Sequence, residues 1–280
     1  MKLKLLGAAL LAAAVAAPAY ADVFNGGSAV PGATAGDGEL FLSVWNNMGT
    51  ADEADDVSYT LDLGITLNSF ASAANTPVAI APQPDYLFAP DATLTTFLSG
   101  ADLNNLTWNV VGFDSYSADR IATTNSGATG SNLNYSQLRT LTGVGQTYLA
   151  AVNGGMPGTA VSDNLSATFV KADAGFAGDQ SFGTNIGGGL DFNNAGSIGS
   201  ELGFWMISEA VASGSTTVKV TNLEFDGNWF LSDGISAFNG QTYAAGTLVY
   251  AAPVPEADTY ALLLAGLGMV GFMARRRKVA

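Results

Sequence analysis

The 280-residue chain contains neither cysteine nor histidine. Without cysteine no disulfide can staple the fold, so its stability must come from a hydrophobic core. Without histidine, Ser-His-Asp and Cys-His catalysis, histidine-containing zinc sites and the usual neutral-pH general base are all excluded. Basic residues are scarce: ten Lys and Arg face 24 Asp and Glu, for a formal charge of −14. Six of the ten sit at the two ends, so the stretch from Asp22 to Ala252 keeps only Arg120, Arg139, Lys171 and Lys219 against 22 acidic residues, a charge of −18. Such a body repels phosphate backbones and anionic lipid, which argues against nucleic acid as a partner. Divalent cations and neutral polysaccharide are better electrostatic matches, although an acidic composition also serves simply to keep an exported protein soluble. Finally, no apolar run reaches the ~20 residues that a transmembrane helix needs.

Both ends nevertheless carry apolar segments. The chain begins MKLKLLGAALLAAAVAAPAYAD, with Lys2 and Lys4 ahead of an Ala-rich run from Leu5 to Ala17. Ala19-Tyr20-Ala21 then precedes Asp22. A charged start, an apolar middle and a small-x-small site are the parts of a secretory leader, here cleaved by signal peptidase between Ala21 and Asp22. At the other end, Tyr260 to Ala274 is a run of 15 apolar and glycine residues, followed at once by Arg275, Arg276, Arg277 and Lys278. As a helix it would rise about 22 Å, short of the ~30 Å hydrocarbon core, so it is a marginal span. The basic tail acts as a stop-transfer block that stays cytoplasmic and leaves the body outside the inner membrane.

The order Val254-Pro255-Glu256, then a Leu/Gly-rich run from Ala261 to Met273, then Arg275-Arg276-Arg277-Lys278, resembles the PEP-CTERM sorting signal of Gram-negative bacteria that make exopolysaccharide. Ala257 stands where the namesake motif has its second proline. The resemblance implies processing near the Pro-Glu element by an exosortase, a membrane-embedded enzyme with cysteine transpeptidase-like chemistry. It also implies a role at the cell surface or in an exopolysaccharide or biofilm matrix. It covers the last tenth of the chain and carries no expectation about the fold of the rest. Residues 1–21 therefore read as signal peptide, 22–252 as exported domain and 253–280 as sorting signal.

The exported domain reads as mainly β. Gly38 to Trp45 is rich in aromatic and branched residues, and Val57 to Gly64 alternates apolar and polar, so the two predict a hairpin. Further strands are expected at Asn105–Asp114, Arg120–Thr124, Ser166–Lys171, Gly203–Ser208, Thr216–Phe225, Trp229–Ser232 and Thr247–Ala251. Four prolines between Asn68 and Asp91 predict a long loop with at most an edge strand at Tyr86-Leu87-Phe88. Tyr135, Leu138, Leu141, Val144, Tyr148, Leu149 and Val152 recur at spacings of three and four, which predicts one packed helix capped by Asn134. Gly143 and Gly145 interrupt it, each at a cost of up to about 1 kcal/mol. Gly175 to Ser200 reads as loop. The pattern suits an antiparallel β-sandwich or jelly-roll-like domain with about one helix.

Three features could carry chemistry. Asp52, Glu53, Asp55 and Asp56 offer the hard oxygen ligands that calcium prefers, but without the spacing of an EF-hand loop; a solvated acidic turn is the alternative. Glu224 and Asp226 would share one strand face, as in the E-x-D-x-E strand of jelly-roll glucanases, but Asn228 replaces the second glutamate. The Asp226-Gly227-Asn228 triplet otherwise suits a turn. Trp45, Trp108, Trp205 and Trp229 are either sugar-stacking platforms or core residues of strands. The leading expectation is an exported, non-enzymatic envelope or matrix protein with no obligatory cofactor. The alternatives are a carbohydrate-binding or carbohydrate-cleaving domain, and a protein whose C-terminus stays uncut as a single-pass anchor.

Overall fold

The computed structural model describes residues 23, 37–46, 56–74, 86–115, 119–127, 131–156, 165–179, 182–209, 220–251, 265–267 and 269. The leader with Ala19, Ala21 and Asp22, the Val254, Pro255 and Glu256 motif, and the Arg275, Arg276, Arg277 and Lys278 tail lie outside them. So do Asp52, Glu53 and Asp55. Residues 265–267 and 269, within the C-terminal apolar run, are helical. Among the described residues no helix is long and apolar enough to cross a membrane.

The expected mainly-β, antiparallel class holds. Strands β1 (Glu39–Asn46) and β2 (Val57–Thr66) form the anticipated hairpin. Helix α1 (Leu67–Ala74), the short strand β3 (Tyr86–Phe88) and helix α2 (Ala92–Gly100) follow. Next come β4 (Leu106–Asp114), β5 (Arg120–Asn125), helix α3 (Tyr135–Gly155) and β6 (Ser166–Val170). Strands β7 (Gly196–Ser197), β8 (Glu201–Glu209), β9 (Val220–Leu231), β10 (Ala237–Phe238), β11 (Gln241–Thr242) and β12 (Leu248–Ala251) follow. One long sheet runs β3-β12-β9-β8-β5-β4-β1-β2-β6, every neighbour antiparallel, with β7 paired to β4; β10 and β11 form a separate hairpin.

Side chains alternate between the two faces of this sheet, which carry two large cores and a small third cluster of Phe230, Phe238 and Val249 beneath the β10–β11 hairpin. Along β1, Leu40, Leu42 and Val44 enter one core while Phe41 and Trp45 enter the other; along β4, Trp108 and Val110 oppose Val111 and Phe113. The first core is wrapped by the curled sheet. At its centre, Phe70 of α1 meets the rings of Tyr86, Phe204, Phe225, Trp229 and Tyr250 at centroid separations of 5.0–6.1 Å, so strands from β3 to β8 close around a single aromatic hub. The second core is covered by α3 and by the glycine-rich stretches 173–179 and 182–195. There Tyr148 stacks on Phe182 at 4.0 Å, and its hydroxyl lies 3.4 Å from both Ser43 Oγ and Thr60 Oγ1.

Several elements depart from expectation for identifiable reasons. The region read as loop from Asn68 holds α1, which ends at Ala74, before the first proline, Pro77. Helix α2 lies where no helix is expected from the sequence pattern; Asp91 caps it, Oδ1 accepting from the Leu94 amide at 2.6 Å. The two strands expected around Asp226-Gly227-Asn228 are one. Opposite β8, Trp229 faces Leu202 and Phe225 faces Phe204, so these three residues occupy the place of Gly203 alone and form a bulge rather than a turn. A Cβ on Gly227 would meet the Tyr250 ring at 2.5 Å, so glycine permits that close approach. A similar irregularity in the β1–β2 hairpin is absorbed by Gly64 at φ +59°, whose amide donates to Asp62 Oδ1 at 2.9 Å. Helix α3 matches expectation, with a full capping box between Asn134 and Gln137.

Candidate functional site

The two ends of the curled sheet, β3 and β6, do not pair with each other; α2 covers the seam. It follows β3 directly and packs on β6 and β2. Asp91 is the fastening. Its Oδ2 accepts from Ser166 Oγ of β6 at 2.5 Å and from the Tyr59 hydroxyl of β2 at 3.2 Å, while Oδ1 caps the helix. Burial, and after it the Asp91 carboxylate, push the Tyr59 hydroxyl well above its usual range, so it stays a neutral donor.

Beside this fastening lies a groove of about 600 Å³ lined by Asn46, Val57, Thr93, Thr96, Phe97 and Thr168, together with small residues of α2. No charged side chain is among its described lining. The groove offers threonine hydroxyls, an amide and one half-buried ring on a lining that is otherwise mostly apolar. Asn46 and Val57 are paired at the end of the β1–β2 hairpin, so the acidic segment leaves and rejoins the sheet at the groove's rim.

The residues singled out from sequence fare differently. Asp56 is buried, and Lys171 Nζ bonds to its Oδ2 at 3.0 Å while the Lys171 amide donates to its carbonyl. A fixed ammonium therefore already meets the one described member of the proposed calcium set. Among the described residues no group of three or more carboxylates gathers in metal-binding geometry. Arg120 plays the same part elsewhere, meeting the fully buried Asp114 at 2.7 Å and Asn68 of α1 at 2.8 Å. Glu224 and Asp226 are both exposed and stand outside the groove lining, separated in register by the start of the bulge. All four tryptophans are buried to 3% exposure or less, so none presents a stacking face to solvent. The Trp108 indole instead donates to the Ser197 carbonyl at 3.0 Å.

Comparison with protein families finds a match at the C-terminal end: residues 253–278 match the PEP-CTERM protein-sorting motif. The motif indicates export to the cell envelope or surface through an exosortase-type sorting system and implies processing by an exosortase-like enzyme. No curated protein and no solved structure matches the chain.

Proposed function

We propose that this protein is a non-enzymatic component of the cell surface or extracellular matrix, delivered by its leader, held briefly in the inner membrane by its C-terminal run, and processed near Glu256. The PEP-CTERM match over residues 253–278 carries this reading. The two prolines Pro253 and Pro255 favour an extended backbone that presents Glu256 to a processing enzyme. Exopolysaccharide is the proposed partner, and the uncharged groove beside α2 suits a neutral chain better than the buried tryptophans do. The carbohydrate-cleaving alternative would have to rest on Glu224 and Asp226, which are exposed and lack a second glutamate.

The intact mass of the protein recovered from the cell surface tests the sorting reading. We expect a species that begins at Asp22 and lacks Arg275 to Ala280, and accumulation of membrane-bound precursor when Glu256 is replaced by Ala. Recovery of a surface species that retains the basic tail would overturn processing and leave the single-pass anchor. Turnover of a polysaccharide that is lost in Glu224→Gln would overturn the non-enzymatic reading.

A further inference from the structure

Val23 is 1% exposed and belongs to the same buried cluster as Leu149, Val152, Met156 and Phe169. Its backbone is held by one side chain 130 positions away. The Val23 amide donates to Asn153 Oδ1 at 3.1 Å, and Asn153 Nδ2 donates to the Val23 carbonyl at 3.1 Å. Asn153 lies in the last turns of α3, so its carboxamide pairs with Val23 as a neighbouring strand would, using both the donor and the acceptor of one residue. This is a specific seat for a backbone segment two residues past the leader's cleavage point.

We propose that the start of the mature chain is a clasp that seats in this pocket only after the leader has been removed. The inference rests on the reading that cleavage falls after Ala21. Hydrolysis there adds water across the Ala21–Asp22 amide, leaving a carboxylate on Ala21 and a free ammonium on Asp22. Two residues of extended chain span about 7 Å at most. With Val23 seated, the scissile bond would therefore be pinned within that distance of the folded body, while the run from Leu5 to Ala17 must lie in the membrane for a membrane enzyme to cut beside it. Ala17 lies six residues before Val23, about 20 Å of extended chain, so the run itself can reach the membrane. The conflict is at the enzyme, because a seated Val23 holds the scissile bond too close to the folded body for an active site to close around it. Cleavage comes first, and seating then fills the pocket, pairs both polar atoms of the Asn153 amide, and shields the new N-terminus from exopeptidases.

Amide hydrogen exchange followed by peptide mass analysis tests this in four proteins: the exported chain, its Asn153→Ala and Asn153→Asp variants, and a precursor in which Ala19→Leu and Ala21→Leu block cleavage. The exported chain should begin at Asp22, with the Val23 amide protected. Asn153→Ala should speed exchange at Val23 by about tenfold or more, the worth of one hydrogen bond, and should loosen residues 149–156. Asn153→Asp keeps the acceptor for the Val23 amide and should lie between the two. The uncleaved precursor should exchange at Val23 and at residues 149–156 as Asn153→Ala does. A chain that begins at Asp22 but exchanges freely at Val23 overturns the clasp and leaves the leader reading intact. An N-terminus beyond Val23 overturns both. Equal protection of Val23 in the precursor overturns the dependence on cleavage.

Discussion

At the scale of single residues, the polar groups inside this protein are few and each ties distant elements together, so their loss should be felt more than their number suggests. Asp91 caps α2 and accepts from β6 and β2 at once. Replacing it by Ala removes a cap worth about 1 kcal/mol and two further bonds worth about 0.5–1.5 kcal/mol each, so a loss of about 2–4 kcal/mol is expected in urea unfolding. Asp91→Asn keeps an acceptor for the Leu94 amide and should cost less. The buried tyrosines set a different limit. Burial raises Tyr148 to about 12, against hydrogen bonds from Ser43 and Thr60 that act the other way, and burial likewise pushes up Tyr59, Tyr86 and Tyr250. A phenol whose folded value is raised contributes stability that is fully present below about pH 10 and is lost as pH rises through the folded value, because the unfolded chain ionises first. For Tyr148 alone the shift corresponds to about 3 kcal/mol. The protein should therefore hold a plateau to about pH 9.5 and unfold cooperatively between about pH 10 and 12, with tyrosinate absorbance and loss of near-ultraviolet circular dichroism rising together. Tyrosinate in excess of what the partly exposed Tyr135 and Tyr243 can supply, appearing with the tertiary signal intact, would show the buried phenols to be accessible in the folded state.

At the scale of elements, two glycines of α3 that look alike in sequence have opposite roles. Nothing lies within 4 Å of a Cβ placed on Gly143, whereas one on Gly145 would lie 2.4 Å from the Phe113 ring of β4. Gly143→Ala should thus stabilise the protein by up to about 1 kcal/mol through helix propensity alone. Gly145→Ala gains the same propensity but must push a helix off the sheet, and overpacking of about 1–3 kcal/mol should leave it less stable than the wild type. Thermal unfolding of the two variants side by side checks the sign of each. The contrast marks how far the sequence could be read. Helix α3, β1, β2 and β4 were legible because their apolar periods run for eight residues or more and end in recognised caps and turns. Helix α2, ATLTTFLSG, has no charge and a threonine-rich face, so its pattern fades into the proline-rich stretch before it; what fixes it is the long-range hold of Asp91 on β2 and β6. The Asp226-Gly227-Asn228 triplet has turn chemistry, and only strand pairing reveals that it spends that chemistry on a bulge. The sorting motif was readable because a peptide signal is linear, whereas the groove and the Val23 seat join residues far apart in the chain.

At the scale of the whole molecule, the imbalance of charge is the dominant electrostatic fact. Of the four basic residues in the body, Arg120 and Lys171 are committed to Asp114 and Asp56, which leaves the surface with almost nothing to offset its carboxylates. Mutual repulsion of these carboxylates destabilises the compact state, and salt screens it, with a Debye length that falls from about 30 Å at 0.01 M to about 10 Å at 0.1 M. The melting temperature should consequently rise as sodium chloride goes from 10 to 500 mM. A protein held by surface ion pairs would show the reverse, because salt weakens attraction as readily as repulsion. The same experiment separates general screening from a calcium site. Sodium, magnesium and calcium compared at equal ionic strength should raise the melting temperature alike if the acidic segment is a solvated turn, and the Lys171 ammonium beside Asp56 favours that outcome. A further increment confined to calcium at millimolar concentration would mean that Asp52, Glu53 and Asp55 assemble a site despite the ammonium at their end, since only a hard cation with six to eight oxygen ligands gains from such a cluster beyond its charge. In that case Asp55→Asn should abolish the increment while leaving the sodium response unchanged.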